Sequence, residues 1–129
     1  MKIVEGLFYT KEHEWVKIEG SRARIGITDY AQSSLGDITF IELPKVGDSL
    51  EQFKFFSSVE SVKAASDIFA PLSGKIVEVN EVLSSKPELL NSSSYEDGWV
   101  IVIEIEDESE KDNLMDSESY KSYLEEISH

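Results

Sequence analysis

Residues 60–67 read Glu60-Ser61-Val62-Lys63-Ala64-Ala65-Ser66-Asp67, which places a lysine between two β-rich runs, Phe53 to Glu60 and Ser66 to Ala70. Such runs are typical of strands, so the stretch predicts a hairpin with Lys63 near its tip. No glycine or proline fixes the turn, and a lysine between two strands is usually a solvated turn residue. The spacing alone therefore favours this ordinary interpretation.

The functional alternative is an amine that is presented for covalent modification. A ligase could acylate Lys63 at an exposed tip, and the long side chain would then carry a group between active sites. Tethering raises the local concentration of a carried intermediate by orders of magnitude if the geometry permits.

Outside this hairpin the pattern is also mostly that of strands, with apolar residues at alternate positions. Further strands are predicted at residues 13–19, 22–27, 37–43, 75–79 and 99–105, and the stretch Asn91–Ser94 is predicted to be a loop. A short helix is predicted over Asp29–Leu35, with Thr28 as its N-cap and Gly36 at its end. Many short strands with little helix predict a mainly β fold, either a sandwich or a barrel.

The C-terminal segment has a different pattern. Tyr120, Tyr123, Leu124 and Ile127 recur at positions i, i+3, i+4 and i+7, which predicts an amphipathic helix packed on the β body. Asp116 or Ser117 could cap it. We expect one domain over residues 1–129, with a β body at about 9–106 and a C-terminal helical segment at about 109–127, because 129 residues suit a single core.

Composition excludes several classes of function. The chain has 12 basic and 26 acidic side chains, a net charge of −14, with no basic cluster for nucleic acid or an anionic membrane surface. Cysteine is absent and only two histidines are present, which excludes thiolate metal sites and makes a histidine metal centre implausible. The strongly apolar stretch from Trp99 to Ile103 is too short to span a bilayer.

An enzymatic active site is not indicated. The stretch Gly47-Asp48-Ser49-Leu50 matches short nucleophile and phosphopantetheine motifs, but its strand-like surroundings favour a turn. His13 has no second histidine four residues on, so it does not form a zinc-protease motif, and we expect it to pack or hydrogen-bond near Trp15. No metal site and no nucleophile–base pair is therefore predicted.

Seven motifs in a fixed order carry a resemblance to a known family. They are Lys11-Glu12-His13-Glu14-Trp15-Val16, Ile25-Gly26-Ile27-Thr28-Asp29-Tyr30-Ala31, Leu35-Gly36-Asp37-Ile38 leading into Phe40-Ile41-Glu42-Leu43-Pro44, Glu60-Ser61-Val62-Lys63-Ala64, Pro71-Leu72-Ser73-Gly74, Glu78-Val79-Asn80 and Tyr95-Glu96-Asp97-Gly98-Trp99. From about Tyr9 to the C-terminal helix, the chain resembles the H proteins of the glycine cleavage system.

This resemblance implies a barrel-sandwich hybrid like that of lipoyl and biotinyl carriers. It implies that Lys63 carries lipoate in amide linkage. Glu60, Ser61, Val62 and Ala64 would then form the segment that the modifying enzyme recognises. Because the loaded arm bears an amine, Glu14 and Asp67 are candidates for a cleft that shelters it, although both could equally be ordinary surface acids.

The resemblance also implies partners. The arm would accept an aminomethyl group from the pyridoxal-phosphate-dependent glycine decarboxylase and pass it to the tetrahydrofolate-dependent aminomethyltransferase. Dihydrolipoamide dehydrogenase would reoxidise it, and a lipoate ligase or lipoyl transferase would attach the lipoate. The carrier itself would be a monomer that catalyses nothing, in the cytoplasm or, in a eukaryotic source, the mitochondrial matrix.

Three alternatives differ in what the lysine carries and which proteins it serves. A biotin carrier typically has methionine on both sides of its lysine, whereas Lys63 lies between Val62 and Ala64. A lipoyl relay or regulatory relative that supplies lipoate to other enzymes stays open on sequence grounds, and so does an interaction module with an unmodified lysine.

Overall fold

The structure, a computed structural model that describes residues 1–128, is built around nine strands in two antiparallel sheets. The first sheet has the order β1-β2-β3-β9-β8-β5 and the second has the order β4-β6-β7. The strands are β1 (Phe8–Tyr9), β2 (Glu14–Glu19), β3 (Arg22–Ile27), β4 (Ile38–Ile41), β5 (Ser49–Leu50), β6 (Phe55–Ser61), β7 (Ala65–Phe69), β8 (Gly74–Val79) and β9 (Ile101–Ile105). Both sheets are open over these residues, and His129 lies outside them.

The core lies between the two sheets and fixes the register of the strands. In the larger sheet Val16 pairs with Ile25, and Ile25 pairs with Ile101, so that three buried side chains lie side by side. From the smaller sheet Val59 and Ile68 enter the same apolar cluster. A shift of one residue would expose each of these side chains, which is why the register is well specified.

The helices are short, and two of them begin where the sequence predicts. Helix α1 (Asp29–Leu35) is capped by Thr28, whose side chain accepts a hydrogen bond from the Ala31 N–H, and Gly36 ends it with φ 78°. Helix α2 spans Leu89–Ser92, helix α3 spans Ser117–Ile127, and 3-10 helices span Glu81–Ser84 and Glu108–Asn113. Asp116, one of the two predicted N-caps, caps α3. None of the helices in residues 1–128 is long and apolar enough to cross a bilayer.

Helix α3 packs on the β body through tyrosine. The rings of Tyr120 and Tyr9 stack in parallel with their centroids 4.4 Å apart, and both side chains are fully buried. Leu124 is buried beside them and Tyr123 is half-buried. Ile127 is 39% exposed, so its predicted place on the buried face is wrong. It is the last residue of the helix.

The predicted fold class is confirmed: the chain is mainly β, with short helices and a C-terminal helix. The two-residue strands β1 and β5 were not predicted, because they are too short to show a period in the sequence. The predicted loop at Asn91–Ser94 is wrong in its first two residues, which belong to α2.

Candidate functional site

The hairpin of β6 and β7 presents Lys63 at its tip. Glu60 pairs with Ala65 at the last step of the ladder, and the turn beyond it contains Val62, Lys63 and Ala64. The N–H of Ser61 donates to the carbonyl of Ala64 at 2.8 Å, and the Ser61 hydroxyl accepts from the Ala64 N–H at 3.1 Å. Ser61 thus closes the turn without the glycine or proline that a sequence search would look for.

The amine of Lys63 is available for chemistry. Its side chain is exposed, and the ion pairs in residues 1–128 join Arg22 to Glu104 and Lys54 to Glu51, so neither involves it. The stem of the lysine passes over Gly36, where an added Cβ would lie 3.4 Å from the Lys63 Cε. The hydrocarbon part is therefore supported while the amine faces solvent.

Acidic and apolar side chains surround the tip. Glu60 is exposed on β6 and lies opposite Phe40 of β4, which is 51% exposed. Val62 is 72% exposed. Of the predicted recognition segment, Glu60, Val62 and Ala64 can therefore be contacted directly by another protein, whereas Ser61 is engaged in the turn.

Glu14 is a buried carboxylate, and the interpretation as a surface acid is wrong for it. It is 2% exposed, Thr10 donates its hydroxyl proton to one carboxylate oxygen, and the N–H of Phe69 donates to the other at 3.2 Å. Burial raises its pKa to about 7, although both hydrogen bonds oppose the rise. Near neutral pH this group therefore holds a proton in part of the molecules.

Asp67 has different surroundings. It is exposed on β7 opposite Ser58 and sits two residues before Phe69, so the two side chains point to the same side of the strand. The carboxylate of Glu14 is thus buried, whereas that of Asp67 lies on the surface.

A cleft of about 440 Å³ opens beside Glu14. Its lining residues are Tyr9, Thr10, Lys11, Glu12, Phe53, Phe69, Asn113 and Met115. Neither Glu14 nor Asp67 lines it, but both hydrogen-bond donors of the Glu14 carboxylate, Thr10 and Phe69, do.

Sequence reasoning missed the aromatic wall of this cleft. Phe53 is 50% exposed and has φ 66°, a conformation that is strained for a bulky residue. Its N–H donates to the carbonyl of Ala70 at 2.6 Å, which fixes the bend before β6. The sequence carries no signal for this, because the strain depends on the contacts of the folded chain.

One face of β7 connects the lysine to the cleft. Successive side chains of a strand point to opposite faces, so Ala65, Asp67 and Phe69 share the face opposite to that of buried Ile68. They form a row that runs from the tip to the cleft wall. At about 3.3 Å per residue, the row is about 13 Å long. The row therefore leads from the turn that carries Lys63 to Phe69 in the cleft wall.

No three His, Asp or Glu side chains within residues 1–128 are grouped so that they could hold a metal ion. His13, for which we expected contacts near Trp15, has tyrosine neighbours. Its ring packs on Tyr30 with the centroids 4.3 Å apart, and its Nδ1 is 2.9 Å from the Tyr120 hydroxyl.

Comparison with known proteins agrees with this arrangement. The model of the family described as "Glycine cleavage H-protein" matches residues 7–127. The chain belongs to this family. The match covers the hairpin, the cleft and helix α3, and it confirms the resemblance that the sequence motifs indicated.

Relatives with the family name align over nearly the whole chain. A glycine cleavage system H protein from Halalkalibacterium halodurans is 56% identical over 120 residues, which are 93% of this chain and 94% of that protein. Glycine cleavage system H protein 2, mitochondrial, from Arabidopsis thaliana is 54% identical over 124 residues, which are 96% of this chain and 80% of that protein.

A solved structure of a family member confirms the fold. The crystal structure of a glycine cleavage system H protein from Mycobacterium marinum superposes with a TM-score of 0.82 at 31% identity. The superposition covers 98% of this chain and all of that one. Identity at this level with full coverage supports the barrel-sandwich hybrid that the resemblance implied.

Proposed function

We propose that this chain is the lipoyl carrier of a glycine cleavage system and that lipoate is attached to Lys63. The observation that supports this most strongly is the exposed Lys63 amine at the tip of the β6–β7 hairpin, inside the family match. The relatives described above carry the name of the glycine cleavage component, which favours this role over a lipoyl relay for other enzymes.

The residues at the tip fit an amide-linked arm. The amine takes part in no ion pair of residues 1–128, and the stem rests on a glycine that has no side chain to obstruct it. The chain also has no cysteine that could form a mixed disulfide with a dithiol arm. When attached, lipoate supplies a dithiolane that accepts an aminomethyl group and becomes a dithiol when the group leaves.

The cleft next to Glu14 is proposed as the resting place of the loaded end of the arm. A protonated amine there would lie close to a carboxylate in a partly desolvated site, where their attraction is stronger than in water. Because a nearby cation favours the ionised carboxylate, the pKa of Glu14 would fall from about 7 when the amine enters. Asp67, along the row from the tip, would contact the arm on its way.

The chain is proposed to serve its partners without catalysing a step. Its clients would be the glycine decarboxylase, the aminomethyltransferase and dihydrolipoamide dehydrogenase, and a lipoate ligase or lipoyl transferase would load it. We propose a monomer, because each client must reach the same hairpin tip. It would reside with these clients, in the cytoplasm of a prokaryote or the mitochondrial matrix of a eukaryote.

The test is intact mass and peptide mapping of the protein from cells that lipoylate other proteins, for the wild type, Lys63→Arg and Lys86→Arg. We expect a lipoyl increment on the Lys63 peptide of the wild type and of Lys86→Arg, an exposed lysine elsewhere on the surface. Lys63→Arg should fold, lack the increment and fail to support glycine cleavage with the purified client enzymes. Glycine cleavage by Lys63→Arg would overturn the proposal, and so would a wild type without the increment.

A further inference from the structure

The side chain of Asn91 in α2 makes three hydrogen bonds: one to α1, one to the start of β4 and one to the connection between them. Its Oδ1 accepts from the N–H of Ile38 at 2.9 Å. Its Nδ2 donates to the carbonyl of Gly36 at 2.8 Å and to the Gln32 Oε1 at 2.9 Å. These partners are 53 to 59 residues away in sequence, so the contacts serve the tertiary structure and not α2 itself.

The connection that Asn91 holds is in contact with the lysine-bearing turn. The carbonyl of Asp37 accepts from the N–H of Val62 at 3.1 Å, which is the residue just before Lys63. Gly36 lies beneath the lysine stem, with the position of an added Cβ 3.4 Å from Cε and 3.8 Å from Cδ. One side of residues 36–38 therefore faces Asn91 and the other faces the turn.

This support lies where the hairpin ladder ends. Ile38 pairs with Ser61, the last residue of β6, and the turn continues one residue further before it meets Asp37. Residues 62–67 are all exposed, so packing contributes little to their order. An attachment point on a mobile base loses the benefit of tethering, because the reacting group is no longer held near one position.

We infer that Asn91 is a positioning residue for the lysine-bearing turn: it fixes residues 36–38, and these fix Val62 and the stem of Lys63. The inference rests on the proposed attachment of lipoate at Lys63 for its importance, but not for its geometry. It assigns to α2 a role in how the lysine is presented to the enzyme that modifies it.

The test compares the unmodified wild type with Asn91→Ala and Asn80→Ala. Asn80 is a matched control, because its Nδ2 also donates two long-range hydrogen bonds, to the carbonyls of Asp97 and Trp99, and neither reaches residues 36–38. The first readout is hydrogen exchange of the Val62 amide measured by NMR. We expect it to be about tenfold faster in Asn91→Ala, and unchanged in Asn80→Ala once global stability is taken into account.

The second readout is the kinetics of lipoylation by a lipoate ligase. Asn91→Ala should raise the KM for the carrier several-fold with little change in kcat, since a disordered turn must be ordered on binding. A further variant, Asn91→Asp, tests whether the two donated hydrogen bonds are needed. It keeps the acceptor for the Ile38 N–H, but its carboxylate would face the Gly36 carbonyl and the Gln32 Oε1 without a proton to donate, so it should resemble Asn91→Ala.

Val62 exchange at the wild-type rate in Asn91→Ala would overturn the inference and show that Asn91 joins α2 to the body without ordering the lysine-bearing turn. Accelerated exchange with an unchanged KM would overturn it too, because the turn would then move without affecting how the lysine is presented. If exchange responds as expected but the ligase modifies none of the proteins, the wild type included, the proposed function fails while the geometry of the support stands.

Discussion

The carboxylate of Glu14 accepts a hydrogen bond from the N–H of Phe69, so the start of β2 is joined to the end of the strand that leads down from Lys63. Burial of the carboxylate raises the pKa of Glu14 from 4.5 to about 7, although this hydrogen bond opposes the rise. The folded protein therefore holds a proton on Glu14 at pH values where the unfolded chain has released it. This proton uptake makes Glu14 a source of pH-dependent stability with a defined sign.

Stability contributed by Glu14 should be largest below pH 4.5 and should fall as the pH rises to about 7. Between these two pH values the stability that Glu14 contributes should fall by about 3 kcal/mol, since each unit of pKa shift is worth about 1.36 kcal/mol. The glutamine introduced by Glu14→Gln cannot ionise, so the variant should not lose this stability. Its free energy of unfolding relative to that of the wild type should therefore rise by this amount between pH 4.5 and 7. Urea unfolding across this range measures the difference, with Glu19→Gln as an exposed control on the same strand. A difference that is constant with pH would contradict the assignment.

Gly26 is required by the indole of Trp15, which lies across the β2–β3 pair. An added Cβ at Gly26 would lie 2.6 Å from the Trp15 Nε1 and Cε2, and Trp15 is fully buried with its N–H donated to the carbonyl of Ser94. Gly26→Ala should therefore destabilise the fold by about 3 kcal/mol.

A double-mutant cycle with Trp15→Leu attributes this cost to the indole. In the Trp15→Leu background the added methyl group has room, so Gly26→Ala should cost much less there. Equal costs in the two backgrounds would mean that strand geometry, and not the indole, explains the glycine. Denaturant unfolding of the four proteins gives the coupling energy.

Glu110 ties the second 3-10 helix to the loop before β8. Its carboxylate accepts from the N–H of Ser73 at 2.7 Å and from the Ser73 hydroxyl at 2.8 Å. Glu110→Ala should cost about 2 kcal/mol, as for hydrogen bonds to a charged group, and should speed hydrogen exchange at the Ser73 amide. Glu108→Ala, an exposed residue of the same helix, should change neither. Wild-type exchange at Ser73 in Glu110→Ala would show that other contacts hold the loop.

The sequence predicted the features that depend on local patterns. Alternating apolar residues indicated the larger strands, the side chains of Thr28 and Asp116 marked two helix starts, and the hairpin that carries Lys63 followed from its flanking runs. Glu14 was not predicted as buried, because an acid between Glu12 and Trp15 resembles a surface residue until the fold places Thr10 and Phe69 around it.

The support of the turn was equally invisible in the sequence. Asn91 lies in a Ser- and Asn-rich stretch that is typical of a loop, and its partners are more than fifty residues away. A single sequence contains patterns within one element, but the pairing of side chains from distant elements depends on the assembled sheets. The cleft wall formed by Phe53 and Phe69 likewise depends on residues that are brought together only in the folded chain.

His13 provides a second pH dependence of opposite sign. Burial among tyrosines lowers its pKa from 6.5, so the folded state resists the proton that the unfolded chain accepts. The stability that it contributes is complete above pH 6.5 and should be lost as the pH falls below that value.

Asn is a suitable replacement, because His13 has φ 70° and Asn tolerates this conformation better than most residues. The stability advantage of the wild type over His13→Asn should therefore shrink as the pH is lowered from 7 towards 5. Between pH 5 and 6.5 the contributions of Glu14 and His13 oppose each other, so the wild type should show a flatter pH profile than Glu14→Gln or His13→Asn. Parallel profiles for the wild type and His13→Asn would show that His13 does not titrate differently in the folded and unfolded states.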